Sequence, residues 1–487
     1  MKITRLLFVL SIFCFFTSCT DQINSGLPLS EVYTSVILSG DVYNEVEENP
    51  FLRVDEFPVS TFSIDADGAS YANVRRFIQQ ENQLPPNGAV RTEELINYFN
   101  LDYPYTDASH PIAINGEVSQ CPWNAGNKLI RIGIKGKPIP QNELPPSNFV
   151  FLIDVSGSMG SEDKLELLKS GFRDFVDVLD ASDRVAIVTY AGSAATVLES
   201  TPGDQKTTIK DAINSLGSGG GTAGAQGIVT AYEIAQQNLI AGGNNRIILG
   251  TDGDFNIGIS SQDELVSLIE EKRDLGIFLT VLGVGRGNLN DAALEQIANN
   301  GNGTYEYIDT IEQLRKVFIY EYNKFYTVAK DVKVQVEFNT SNVLEYRLIG
   351  YENRLLNQED FEDDSEDAGE IGANQNITAL YEIVPATILA PNAPTFSIDF
   401  RYKNPDSDTS IPLNLNIFDT NTSFNASSSF MKFTAGIAAF SMLITDSQYK
   451  GSSSYDEVLN WIDAATLSDP YNFKSEFRNL VQTASGL

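Results

Sequence analysis

The sequence predicts a doubly wound α/β domain at its centre, flanked on both sides by β-rich segments and followed by C-terminal helices. Three observations carry this. Phe149-Val-Phe-Leu-Ile153 is a continuous apolar run ending in an aspartate, as a strand buried on both faces requires. Leu165, Leu168, Phe172, Phe175 and Leu179 then recur every three or four residues, the spacing of an amphipathic helix. From residue 148 to 325, strand and helix patterns go on alternating.

In chain order, the first segment is a leader. Lys2 and Arg5 precede the apolar run Leu6 to Phe16, too short for the roughly 20 residues that span a bilayer. Phe16-Thr17-Ser18-Cys19 resembles a bacterial lipobox, which implies a signal peptide over 1–18 and lipidation of Cys19. That implies an exported protein held on the bacterial cell envelope by its lipid alone. Thr20 after the cysteine agrees with sorting to the outer membrane. If Cys14 leaves with the leader and Cys19 carries lipid, only Cys121 remains of three cysteines, so no internal disulfide is available.

Residues 19–48 are polar and weakly patterned and are expected to be a tether, with order beginning near Asn49. Residues 49–106 are expected to be a small α+β module, with a strand at Phe57 to Ile64 and helices at Ser70 to Gln80 and Arg91 to Phe99. Asp65 to Ser70 is expected to cap the first of these helices. Residues 107–147 carry two strands, Ile112 to Val118 and Lys128 to Ile134. The α/β domain spans 148–325. A β-rich segment follows at 326–427, and helices at 428–487. Each β-rich flank is short for an independent sandwich, so the two are expected to form one, carrying the α/β domain as an insertion.

Composition excludes several function classes. The 487 residues carry a formal charge of −32, which repels DNA, RNA and anionic lipid. His110 is the sole histidine, which removes most zinc sites and most Ser-His or Cys-His catalysis. Gly219-x-Gly-x-x-Gly224 mimics a dinucleotide fingerprint, but a helical segment precedes it where a strand is needed. There is no phosphate-binding Gly-x-x-x-x-Gly-Lys loop. No nucleotide, no nucleic acid and no catalytic residue is therefore expected.

The chemistry lies where the first central strand ends. Asp154-Val-Ser156-Gly-Ser158 places a carboxylate and two hydroxyls at a strand's carboxyl end, where open α/β sheets bind ligands. Hard oxygen donors of this kind suit Mg²⁺ or Mn²⁺ better than zinc. The pattern resembles the metal-ion-dependent adhesion site of von Willebrand factor A (VWA) domains. That family also uses a threonine in a Gly-rich loop and an aspartate after a later strand, matched here by Thr222 and Asp252. The resemblance implies one ion held by Asp154, Ser156, Ser158, Thr222 and Asp252. It also implies an open coordination position for a carboxylate on a protein partner. Asp254 and Asn256, beside the site, are expected to tune ligand choice. The alternative is an envelope assembly or scaffold protein with a structural metal site.

The likeness extends along the chain. Ser70-Tyr71-Ala72, Leu84-Pro85-Pro86 and Glu93-Glu94-Leu95-Ile96-Asn97-Tyr98-Phe99 are similar to the N-terminal module of the bacterial YfbK-like family. Glu345-Tyr-Arg-Leu-Ile-Gly-Tyr-Glu-Asn-Arg354 and Asp367-Ala-Gly-Glu370 are similar to its C-terminal domain.

Overall fold

Alternating side chains of the central strands divide one sheet between two cores. Phe149, Phe151 and Ile153 pack with Leu168, Phe172, Phe175 and Phe318. Val150 and Leu152 point the other way, against Ile228, Ala231 and Tyr232. This follows from the two-residue period of a strand and explains why no polar residue interrupts the run. The computed structural model describes residues 35–38, 40–106, 109–221, 224–253, 262–386 and 393–487.

The sheet has six strands. Their order is Tyr305–Ile308, Ile277–Val284, Asn244–Thr251, Ser147–Asp154, Arg184–Tyr190 and Ala194–Pro202. All neighbours are parallel except the last pair. Helices Leu167–Val178 and Lys206–Asn214 cover one face; Gly224–Gln237, Gln262–Asp274 and Asp291–Asn300 cover the other. Ser147–Asp154 sits between Asn244–Thr251 and Arg184–Tyr190, away from either edge, so Asp154 ends a fully buried strand.

The β-rich flanks form a single sandwich. One sheet runs Leu52–Arg53, Val343–Ile349, Asn376–Pro385, Lys128–Gly136, Ile112–Gln120. The other centres on Thr327–Phe338, which pairs with Phe396–Lys403 along one edge. Its opposite edge takes Gly369–Gly372 and then Val59–Ser63. Ile411–Ile417 completes that sheet beyond Phe396–Lys403. Strands from before and after the α/β domain thus occur in both sheets. Their inner faces share one core, in which Phe338 stacks on Tyr346 at 4.2 Å between ring centres.

The outer face of the first sheet is covered by helices from both ends of the chain. Ala69–Arg75 and Thr92–Asn97 meet Ser429–Ile444, Tyr455–Asp463 and Phe473–Ala484 over Leu129, Ile349 and Leu380. Among the described residues, no helix is long and apolar enough to cross a membrane.

Three expectations are corrected. Order begins before Asn49, because Ser35–Leu38 and Asp41–Asn44 form a hairpin inside the stretch read as a tether. Tyr43 is buried, and Asp41 is buried because it pairs with Arg76 and accepts two backbone amides. Its polarity reads as solvation only while those partners are unknown. Residues 49–106 also do not stand alone, since Leu52–Arg53 and Val59–Ser63 belong to the sandwich sheets. The helix at Ala69 takes no cap from Asp65 to Ser70 either; its Ser70 amide donates instead to the Glu94 carboxylate at 2.8 Å. Asp65 and Asp67 instead face Arg354, at 3.0 and 3.7 Å, which joins the N-terminal motif to the C-terminal one.

Candidate metal centre

A strand that ends in aspartate delivers its carboxylate to the rim of the sheet, and the next residues decide what surrounds it. Asp154 is fully buried. Its Oδ1 accepts the amide of Ser156 at 2.8 Å, which folds the loop back over the strand end. Thr251 Oγ1, from the neighbouring strand, reaches its Oδ2 at 3.2 Å. The Ser156 and Ser158 hydroxyls lie 2.9 Å apart, the first buried and the second exposed to solvent. Ser158 also hydrogen-bonds to the Asp252 carboxylate. Four of the five residues expected from sequence therefore stand together, on two adjacent strand ends.

The Gly-rich loop closes one side. Gly219 donates its amide to Val155 at 2.7 Å, and the Gly157 amide donates to Gly220 at 3.2 Å. Thr222, the fifth expected ligand, lies outside the described residues, as do Asp254, Asn256 and Cys19.

The two aspartates differ electrostatically. Burial pushes the Asp154 carboxyl above its ordinary range, and hydrogen bonds from Ser156 and Thr251 do not overcome it. Asp154 has no ion pair among the described residues. Asp252 is as deeply placed, but hydrogen bonds from Asn288, Lys164 and Ser158 outweigh burial and hold its carboxyl below the ordinary range. Lys164 Nζ stands 2.9 Å from Asp252 Oδ2 and 2.9 Å from Asn288 Oδ1. Neither Lys164 nor Asn288 was expected at the site. Helical spacing could not have found Lys164, whose backbone is non-helical at a kink just before the helix that begins at Leu167.

A buried carboxylate with no counter-ion is costly, and the groups facing it here are hydroxyls, not cations. Two carboxylates and two hydroxyls, with one hydroxyl open to solvent, form a hard donor set that fits a small divalent cation. Two other acidic groups have carboxylate oxygens within 4.8 Å of one another: Asp65, Asp67, Glu94 and Asp331, Asp367, Glu370. In both, cations already sit on the acids. Arg354 and Arg91 pair with the first group, Lys403 and Arg273 with the second.

Comparison with known proteins places this geometry. The von Willebrand factor type A domain family matches residues 148–318. A second von Willebrand factor family matches residues 38–131, and the family "Uncharacterized protein YfbK, C-terminal" matches 323–487. The chain is 40% identical over 470 residues to Uncharacterized protein YfbK of Escherichia coli strain K12, covering 91% of this chain and 81% of that protein. It is 27% identical over 192 residues to inter-alpha-trypsin inhibitor heavy chain H2 of Mesocricetus auratus, covering 37% of this chain and 20% of that protein. Among solved structures, conserved hypothetical protein BatB from Bacteroides thetaiotaomicron is similar at 25% identity and a TM-score of 0.32, covering 37% of this chain and 98% of that one. VWA domains are protein-interaction modules and commonly bind a divalent metal. The matches at the centre and the C-terminus and the near-full-length relative agree: this chain belongs to the YfbK family and carries a VWA domain at its centre.

Proposed function

We propose that the VWA domain binds one Mg²⁺ or Mn²⁺ through Asp154, Ser156, Ser158, Thr222 and Asp252 and engages a carboxylate on a protein partner. The observation that carries this reading is Asp154, a buried carboxylate faced by hydroxyls and a backbone amide, with a solvent-exposed hydroxyl beside it. The ion would supply a positive centre for an incoming carboxylate. Ser156, Ser158 and Thr222 would hold it directly or nearly so, and Asp154 and Asp252 would act largely through water. Binding is favoured over catalysis because the Lys164 ammonium beside Asp252 donates to both Asp252 and Asn288 and so braces the two loops that carry them. We further propose that the chain is exported and anchored through lipid on Cys19, presenting the domain at the bacterial envelope.

The test is thermal unfolding of the full chain in EDTA, Mg²⁺, Mn²⁺ and Ca²⁺, beside Asp154→Ala. An ion at 100 times its Kd adds about 2.7 kcal/mol. Stabilisation by Mg²⁺ or Mn²⁺ that vanishes in the variant supports the centre. No response to either ion, or an equal response in Asp154→Ala, removes it.

A further inference from the structure

The metal centre contains a cation of its own, and the fold holds it there. Lys164 is 7% exposed and Asp252 fully buried. The lysine stem lies against Gly285, where a Cβ would stand 2.2 Å from the lysine Cε. With φ at +74°, that position also needs glycine for its backbone. Asn288, the second acceptor of the ammonium, belongs to the same loop.

This loop is fixed from both sides. Asp41, in the N-terminal hairpin, accepts the amides of Gly287 at 2.6 Å and Leu289 at 3.1 Å. Val42 donates to the Leu289 carbonyl at 2.7 Å. On the other side lies Gly253, next to Asp252, where a Cβ would come within 2.4 Å of the Asn290 nitrogen. The ammonium is thus held by a chain of contacts from Asp41 through Asn288 to Asp252.

Charge decides what this does. A dication and two aspartates sum to zero; with Lys164 the sum is +1. We propose that Lys164 is a specificity-determining residue of the centre. It weakens metal binding by like-charge repulsion and strengthens binding of an anionic partner group at the metal. The N-terminal hairpin, through Asp41, keeps it in position. This inference rests on the metal reading above, and it names the partner's chemistry as acidic.

The test uses the full chain and two probes: Mn²⁺ alone, then acetate added to Mn²⁺-loaded protein, with water-proton relaxation reporting acetate displacing metal-bound water. Lys164→Met binds Mn²⁺ about tenfold tighter and acetate about tenfold weaker than the wild type. Lys164→Arg keeps the charge and stays within about threefold on both. Asp41→Ala, which keeps the Lys164 side chain but frees the loop that positions it, shifts both affinities the same way by about threefold, and it carries the test if Lys164→Met does not fold. Wild-type binding of Mn²⁺ with both affinities unchanged in Lys164→Met and Asp41→Ala overturns the inference and leaves the metal centre standing. A wild type that binds no Mn²⁺ overturns both.

Discussion

The junction with the N-terminal helices and the rim around Asp154 both lie at the carboxyl ends of the parallel strands, yet they handle buried carboxylates in opposite ways. At the junction, each acid meets a guanidinium. Arg75 pairs with Asp309 at 2.5 Å and Glu476 at 2.8 Å, and Arg91 with Glu94 and with Asp291 at 2.7 Å. At the rim, Asp154 meets hydroxyls and an amide. The junction gathers Asp309, Glu476, Glu94 and Asp291 around two guanidiniums, whereas Asp154 has no ion pair among the described residues. What surrounds an acid, more than how many acids gather, separates structural ion pairing from a binding site.

The largest test of this contrast removes a junction cation. Arg91→Ala leaves Glu94 and Asp291 buried with less neutralisation, and should cost about 3–5 kcal/mol in denaturant unfolding. A loss under about 1 kcal/mol would mean that the junction acids are not held by their pairs. Next comes Asp154→Ala at the rim. Its stability in EDTA should stay within about 1 kcal/mol of wild type, while the metal-dependent gain of about 2.7 kcal/mol disappears. Equal damage from the two variants in EDTA would erase the contrast.

Glu93 sharpens it further, as a buried acid beside the junction without a guanidinium of its own. Burial, with Glu352 adding to it, pushes its carboxyl above the ordinary range. The folded state therefore keeps a proton that the unfolded chain releases near pH 4.5. The stabilisation is full below that pH and is lost as pH rises through the raised folded value. Glu93→Gln should remove the loss, so that its unfolding free energy gains on wild type as pH rises, by on the order of 2 kcal/mol. A gap between the two proteins that does not change with pH would contradict this. The smallest effect is expected at Glu362, which is exposed. Glu362→Gln should stay within about 0.5 kcal/mol of wild type.

Much of the centre was legible because it is local. Asp154, Ser156 and Ser158 lie within five residues at a strand end, and Asp252 follows the adjoining buried strand directly. Lys164 and Asn288 were not read, because a lysine near a helix start ordinarily faces water and nothing nearby marks its two acceptors. Asp41 was missed for a related reason: its partners Arg76, Gly287 and Leu289 come from distant parts of the chain. The α/β strands were recognisable from continuous apolar runs. The shared sandwich was expected, but not its pairing, because strand register across a whole inserted domain leaves no local pattern.

That interleaving sets a timetable for synthesis. Gln335 donates its side-chain amide to Thr61 across 274 residues, on strands that lie side by side. At about 5–20 residues per second, the earlier strand leaves the ribosome roughly 15 to 55 s before its neighbour exists. The VWA domain emerges within that interval and can complete its own sheet, while the hairpin bearing Ile130, Ile132 and Ile134 has no opposing layer. The newborn chain therefore carries an uncovered apolar face while residues 137–326 are being made, and whatever shields that face in the cell is as much a condition of this fold as the residues that finally cover it.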